Sequence, residues 1–202
     1  MKKILSFICA CTLIFTGCQK LAPTSSTNNS ETISTISSEE LSDVISVYNE
    51  ERIIHGVSYI IEEDSWAELS INENIHQYCS YSVGGMDTLL RIQYSTELYG
   101  NPINEDTTLD ELAYAIEHTE DVTYFEIEED TFQGYRCHYI YRSLNVVQEI
   151  DNSLVTYHYH NYSLSFVAND VLYIILLVSP NELDTYMDDF NEVIDSIVIT
   201  PI

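Results

Sequence analysis

Positive charge is what this sequence has least of. Seven Lys and Arg stand against 33 Asp and Glu in 202 residues. A chain this acidic repels phosphate backbones, which excludes nucleic acid as a partner, and it offers no basic patch to an anionic membrane. Beyond Lys2 and Lys3 the only lysine is Lys20, so a Ser–Lys catalytic pair within a folded region is excluded. There is no G-x-S-x-G nucleophile elbow, since Ser82 runs into Val83-Gly84-Gly85 as a strand end entering a turn. There is no D-x-D-x-D-G calcium loop. Cys79 and Cys137 lack C-x-x-C spacing, so they form neither a zinc nor a redox motif. They read as small apolar strand residues, with a bridge between them left open.

What is present begins with an address. Lys2 and Lys3 precede an almost unbroken apolar run from Ile4 to Phe15. That run is shorter than the roughly 20 residues needed to cross a bilayer and carries the flanks of a cleaved signal peptide. It ends Phe15-Thr16-Gly17-Cys18, which resembles the lipobox of bacterial lipoproteins: apolar, small, small, cysteine. Phe15 stands where leucine is commonest. The resemblance implies cleavage after Gly17, diacylglyceryl attachment to Cys18 and acylation of the new N-terminus. Two or more acyl chains give stable anchoring where one does not. Removal of residues 1–17 leaves five basic residues against 33 acids, a charge of −28.

Residues 18–37 combine the lipidated cysteine with Ser, Thr, Asn and Pro. They bury too little apolar surface to offset ordering entropy, and read as a flexible tether. Residues 38–202 fit one domain without internal repeats. Three helix starts are expected. Ser37 with Glu40 caps a stripe of Leu41, Val44, Ile45 and Tyr48, and Thr108 with Glu111 caps Leu109, Leu112, Ala113 and Ile116. Ser179-Pro180-Asn181-Glu182 places proline at the first helical position, ahead of Leu183, Tyr186, Met187, Phe190, Ile194 and Ile197.

Strands are expected at Val57–Ile61, Ile75–Val83, Thr88–Ser95, Val122–Ile127, Tyr135–Val147, Leu154–Ala168 and Val171–Val178, all β-branched or aromatic. Asp151-Asn152 and Asn169-Asp170 are two-residue turns tolerant of positive φ. They set Phe166 opposite Tyr173, Tyr141 opposite Tyr162 and Cys137 opposite Phe166, apolar against apolar. Val171–Val178 is apolar on both faces. The expectation is an α/β fold of the α+β type, an antiparallel sheet covered by helices on both sides.

The order of these pieces resembles the PsbP-like family. Val57–Ile61 leads into Ser65-Trp66, a second strand ends near Tyr94, and an amphipathic helix follows. Gly134 opens a meander, and a last helix closes on Asp195–Ile199. The resemblance spans residues 52–200 and departs from the pattern at Glu62-Glu63-Asp64, which replaces a proline before the tryptophan. That family includes extrinsic photosystem II subunits, a Ran-binding import factor and many small bacterial lipoproteins. It implies an α-β-α sandwich acting as a binding or assembly module, with no shared catalytic set.

The residues offer few chemical sites of their own. Cys137 adjoins His138, but neighbours on a strand face opposite ways and cannot pair. Glu62-Glu63-Asp64 and the run Glu126, Glu128, Glu129, Asp130 read as solvated edges. Tyr157-His158-Tyr159-His160 places two imidazoles on one strand face. Metal sites want three or four ligands, and Ser143 and Asn145, expected opposite, are poor ones. The expectation is no metal, no cofactor and no catalytic residue. Sixteen tyrosines offer surface to a protein or glycan partner.

The sequence therefore reads as a non-catalytic binding or accessory lipoprotein. It is held on the extracytoplasmic face of a bacterial membrane by the lipid on Cys18. The alternative is a metal-assisted hydrolase or metal-binding lipoprotein using His158 and His160. Cys18→Ser should abolish incorporation of labelled fatty acid in growing cells; a mutant labelled as strongly as the wild type would refute the anchor.

Overall fold

The computed structural model describes residues 49–62, 64–80, 88–150 and 153–200. The signal, Cys18, the tether, the helix expected after Ser37, Ser82–Gly85 and the turn Asp151-Asn152 lie outside the described residues. The element order is β1 (Asn49–Ile54), β2 (Val57–Glu62), β3 (Trp66–Ile71), β4 (Ile75–Ser80), β5 (Leu89–Ser95), β6 (Glu97–Leu98), β7 (Asn101–Pro102) and α1 (Thr108–Glu117). There follow β8 (Val122–Phe132), β9 (Tyr135–Ile150), β10 (Ser153–Ala168), β11 (Val171–Ser179), a 3₁₀ turn at Leu183–Thr185, α2 (Met187–Ser196) and β12 (Val198–Ile199).

Seven strands form one antiparallel sheet in the order β3-β4-β5-β11-β10-β9-β8, and β1-β2-β12 form a second. The register is the one the turns dictate: Phe166 pairs with Tyr173, Tyr141 with Tyr162 and Cys137 with Phe166. Asn169 and Asp170 have φ of 53° and 59°, the two positive values of a type I′ turn, whose twist matches the flanking strands. Gln133 and Gly134 (φ 50° and 88°) join β8 to β9 the same way, as do His55 and Gly56 (45° and 79°) between β1 and β2.

The covering of the sheet differs from the expected sandwich. Strand makes up 61% of the structure and helix 17%, in two helices. One face of the large sheet, carrying Tyr78, Ile92, Phe166, Tyr173 and Leu177, packs into a single core with Ile54, Val57, Tyr59 and Ile61 of the small sheet. Phe190, Val193 and Ile194 of α2 join that core. A second β-layer thus does most of what helices were expected to do. Among the described residues, α1 meets the other face at Val167 and Leu172 through Leu109 and Leu112. Leu144, Tyr159, Leu176 and Val178 form a separate cluster beyond it.

The cause is that β1 and β3 were hidden in Asn49–Ile54 and Trp66–Ile71. Their charged or polar residues face water and break the expected pattern. Glu51, Ile53, Glu68 and Ser70 are all exposed. At the edges, β3 carries a bulge between Glu68 and Ser70, and β8 exposes Glu126, Glu128, Glu129 and Asp130.

Helix starts also shift. The first residue of α1 is Thr108, not its cap: Thr107 holds that position without a side-chain bond, while Thr108 Oγ1 accepts the Asn104 amide at 2.8 Å. After β11, Ser179 Oγ accepts the Asn181 amide at 3.1 Å, but the chain makes only a 3₁₀ turn before α2 begins at Met187. The apolar stripe is as expected, with Leu183, Tyr186, Phe190, Ile194 and Ile197 buried.

Trp66, at the start of β3, is 2% exposed in the main core. Trp66→Ala should cost about 3–5 kcal/mol in urea unfolding, the range for deleting a large buried aromatic. A loss below about 1 kcal/mol would remove it from the core.

Candidate functional site

The concavity lined by Trp66 lies between the β2–β3 turn and α2. Backbone geometry fixes its walls: Ser196 Oγ accepts the Ile60 amide at 2.9 Å and donates to the Val193 carbonyl at 2.7 Å, tying α2 to β2. Helix α2 turns Phe190, Val193 and Ile194 inward. The helical period then sets Asp189 and Glu192 beside that apolar face. The resulting cavity of about 330 Å³ has apolar walls of Ile60, Trp66 and Val193 and four carboxylates, Glu62, Asp189, Glu192 and Asp195. Among the described residues no basic side chain lines it. Burial pushes the Asp189 carboxyl above its usual range, with Glu192 and Asp188 adding repulsion, and Ser65 opposes the shift by a hydrogen bond. Glu62 is raised by desolvation first, then by Glu192 and Asp189. The indole nitrogen of Trp66 is buried without a hydrogen-bond partner. Carboxylates crowded into a concavity without a counter-ion are an arrangement that a cationic ligand relieves.

A second constellation sits on the opposite face of the sheet. Arg136 and His138 are two apart on β9 and so share a face. Glu129 of β8 pairs directly with His138, and Asp110 reaches the same place from the first turn of α1. Arg136 bonds Asp110 Oδ1 at 2.7 Å and Oδ2 at 3.3 Å, and Glu129 Oε2 at 3.1 Å. It holds the Asp110 carboxyl below the usual range. The His138 side chain is 1% exposed, and its Nε2 lies 3.7 Å from Asp110 Oδ1 and 3.9 Å from Glu129 Oε1. Neither ring nitrogen has a hydrogen bond of normal geometry. Burial, reinforced by Arg136, lowers its pKa, though a contact with the Leu109 backbone opposes the shift. Leaving a buried polar group unpaired costs about 1–3 kcal/mol.

His158 and His160 do share a strand face, with ring centroids 4.9 Å apart. Each is already engaged: His158 Nδ1 with Asn145 Oδ1 at 2.9 Å, and His160 Nδ1 with the Tyr141 hydroxyl at 2.8 Å and Ser143 Oγ at 3.1 Å. Asn145 and Ser143 lie opposite them, as the register requires. Among the described residues, the only group of three His, Cys, Asp or Glu ligands close enough to share an ion is Asp110, Glu129 and His138. Sequence reading missed that group because its members are brought together by the α1 docking and the β8–β9 pairing. The one local signal was Glu129 falling opposite His138 across a Gln133-Gly134 turn.

The cysteines offer no nucleophile. Cys79 and Cys137 are both buried and not joined in a disulfide, and desolvation pushes Cys137 up to about 11, away from the thiolate that reacts. Cys137 points into the main core while His138 points to the other face. The tyrosines are divided: Tyr59, Tyr78, Tyr173 and Tyr186 are core, whereas Tyr99, Tyr114 and Tyr124 are exposed. No helix among the described residues is long and apolar enough to cross a membrane.

No family model matches the chain, and no curated protein matches it in sequence. Solved structures similar to it include a Bacteroides thetaiotaomicron protein at 10% identity and TM-score 0.44. That likeness covers 72% of this chain, which spans 46% of the Bacteroides protein. Cyanobacterial PsbP from Synechocystis matches at 12% identity and TM-score 0.45, over 78% of this chain and 95% of that one. LpqN, involved in cell envelope biogenesis of Mycobacterium tuberculosis, matches at 13% and 0.41, over 76% and 92%. With every TM-score below 0.5, the likeness assigns neither family nor function.

The raised carboxyls generate a pH prediction. A group whose folded pKa lies above its unfolded value favours the fold below the ordinary carboxylate range and loses that contribution as pH rises through the folded value. Glu62→Gln and Asp189→Asn should therefore each raise the melting temperature at pH 7, by about 1–2 °C. The gain should vanish near pH 4. Calorimetric scans at both pH values check it; destabilisation at pH 7 would mean that the carboxylates are paired.

Proposed function

We propose that this protein is a lipid-anchored, non-catalytic binding protein of the bacterial envelope, and that the Trp66 cavity takes a cationic group presented by its partner. The observation that carries the reading is the cavity itself: four carboxylates against an apolar wall, two of them held above their usual range, with no cation among the described lining residues. A lysine or arginine side chain of a protein partner fits that chemistry, and the net negative charge of the chain steers such a partner toward it. Support for the anchor comes from Lys2, Lys3, the apolar run and Cys18. Support for a binding role comes from the cavity's lining, which sets carboxylates beside the apolar faces of Ile60, Trp66 and Val193.

Trp66 is the one tryptophan of the chain, so its fluorescence reports this cavity alone. A short Arg- or Lys-containing peptide should produce a saturable change in that fluorescence, whereas an acidic peptide of equal length should not. The change should weaken at least about tenfold in a Glu62→Gln, Asp189→Asn double variant and should fall with added salt. A response that is absent, or that persists unaltered in the double variant, would remove the cavity from the function.

A further inference from the structure

His138 is the one member of the Asp110–Glu129–Arg136 cluster that the ion pairs do not explain. Arg136 suffices to hold the two carboxylates and, with them, α1 against β9. A histidine beneath them, 1% exposed and with neither nitrogen in a hydrogen bond of normal geometry, is not needed for that bond. An aliphatic residue there would be cheaper. Its Nε2 is nevertheless aimed at one oxygen of each carboxylate, at 3.7 and 3.9 Å.

We propose that His138, Asp110 and Glu129 form a binding site for a divalent transition metal of the zinc type. Neutral imidazole is a ligand for zinc, copper, iron or nickel, and not for magnesium or calcium, which take oxygen alone. Zinc bonds of about 2.0–2.2 Å in tetrahedral array set ligand atoms roughly 3.4 Å apart. The three ligand atoms already lie within 4.8 Å of one another, so closing on an ion requires shifts of tenths of an ångström at the two imidazole–carboxylate distances and up to about 1.4 Å between the exposed carboxylates. Asp110 and Glu129 are 57% and 62% exposed, which gives the ion an entry path and leaves its fourth position to water. Arg136 is the resident competitor. It must release Asp110 Oδ1, but it already touches Asp110 Oδ2 and Glu129 Oε2. From those far oxygens it would orient both carboxylates, as outer partners of metal ligands do. Arg136 is thus a positioning residue and the other three are ligands.

The test is calorimetric titration of zinc into the full-length purified protein in millimolar magnesium, which saturates the weak sites of the acidic surface. One zinc per chain should bind with Kd below about 1 μM. Glu129→Gln and Asp110→Asn, both at exposed positions, should each weaken it by about 30-fold or more. His138→Gln should do the same, and the His158→Ala, His160→Ala double variant should not change it. Cobalt(II) supplies a second readout: its visible absorption bands should appear on one equivalent and be lost in Glu129→Gln, which keeps the proposal testable even if His138→Gln fails to fold. Binding that is weak, of many equivalents and unaltered by Glu129→Gln and Asp110→Asn would overturn the proposal. So would a tight site lost only with His158 and His160.

Discussion

The central strand β11 presents apolar side chains to both sides of the sheet, and the architecture follows from covering both. Tyr173, Ile175 and Leu177 enter the main core with the small sheet and α2, while Leu172 and Leu176 enter the two clusters on the reverse side. A strand buried on both faces must lie inside its sheet, and β11 does, between β5 and β10. Its partners are then aligned by pairing, which places β9, and with it Cys137 and His138, on opposite sides of the same layer. Both candidate sites are products of that placement. The acidic cavity belongs to the side closed by α2, and the histidine cluster to the side closed by α1.

Scarcity of cations decides how those sides are held. Arg52 bonds Glu68 at 3.0 Å, and Arg136 is shared between two carboxylates. Arg91 and Arg142 lie against the side-chain amides of Gln77 and Asn161, whose oxygens accept from them when the amides are turned over. Exposed pairs of this kind contribute little to stability, so their value lies in location. Arg136 fixes an α1–β9 contact that apolar packing at Leu109 and Leu112 already supports. Among the described residues the acids of α2 have no such partner in their cavity, and that asymmetry leaves them open to a cation from outside.

Legibility in the sequence tracked the range of the interaction. The β10–β11 register was readable because two positive-φ residues, Asn169 and Asp170, leave the hairpin one alignment, and side-chain alternation then fixes every pair. The stripes of α1 and α2 were readable for the same local reason. Strands β1 and β3 were not, because apolar Ile53, Leu69 and Ile71 face outward beside Glu51, Glu68 and Ser70, and no period of two survives. The helix expected from Ser179-Pro180 was overridden by tertiary packing: Leu183 and Tyr186 reach the core from a 3₁₀ turn, and α2 begins only where Phe190 and Ile194 can share one face. Of the Asp110, Glu129 and His138 group only the Glu129–His138 pairing was legible, since nothing in β8 or β9 foretells where α1 will dock.

The edges of the large sheet carry a separate consequence. Strand β8 is the last in its row, and its outward-facing hydrogen-bonding groups would welcome a strand from another molecule. It instead displays Glu126, Glu128, Glu129 and Asp130 along its exposed length, and the opposite edge, β3, is interrupted by its bulge. Two copies brought together edge to edge would set carboxylate against carboxylate or meet a broken ladder, and either arrangement resists runaway strand pairing. The fold can therefore be crowded to high local density without polymerising, a property its predominantly β composition would otherwise deny it.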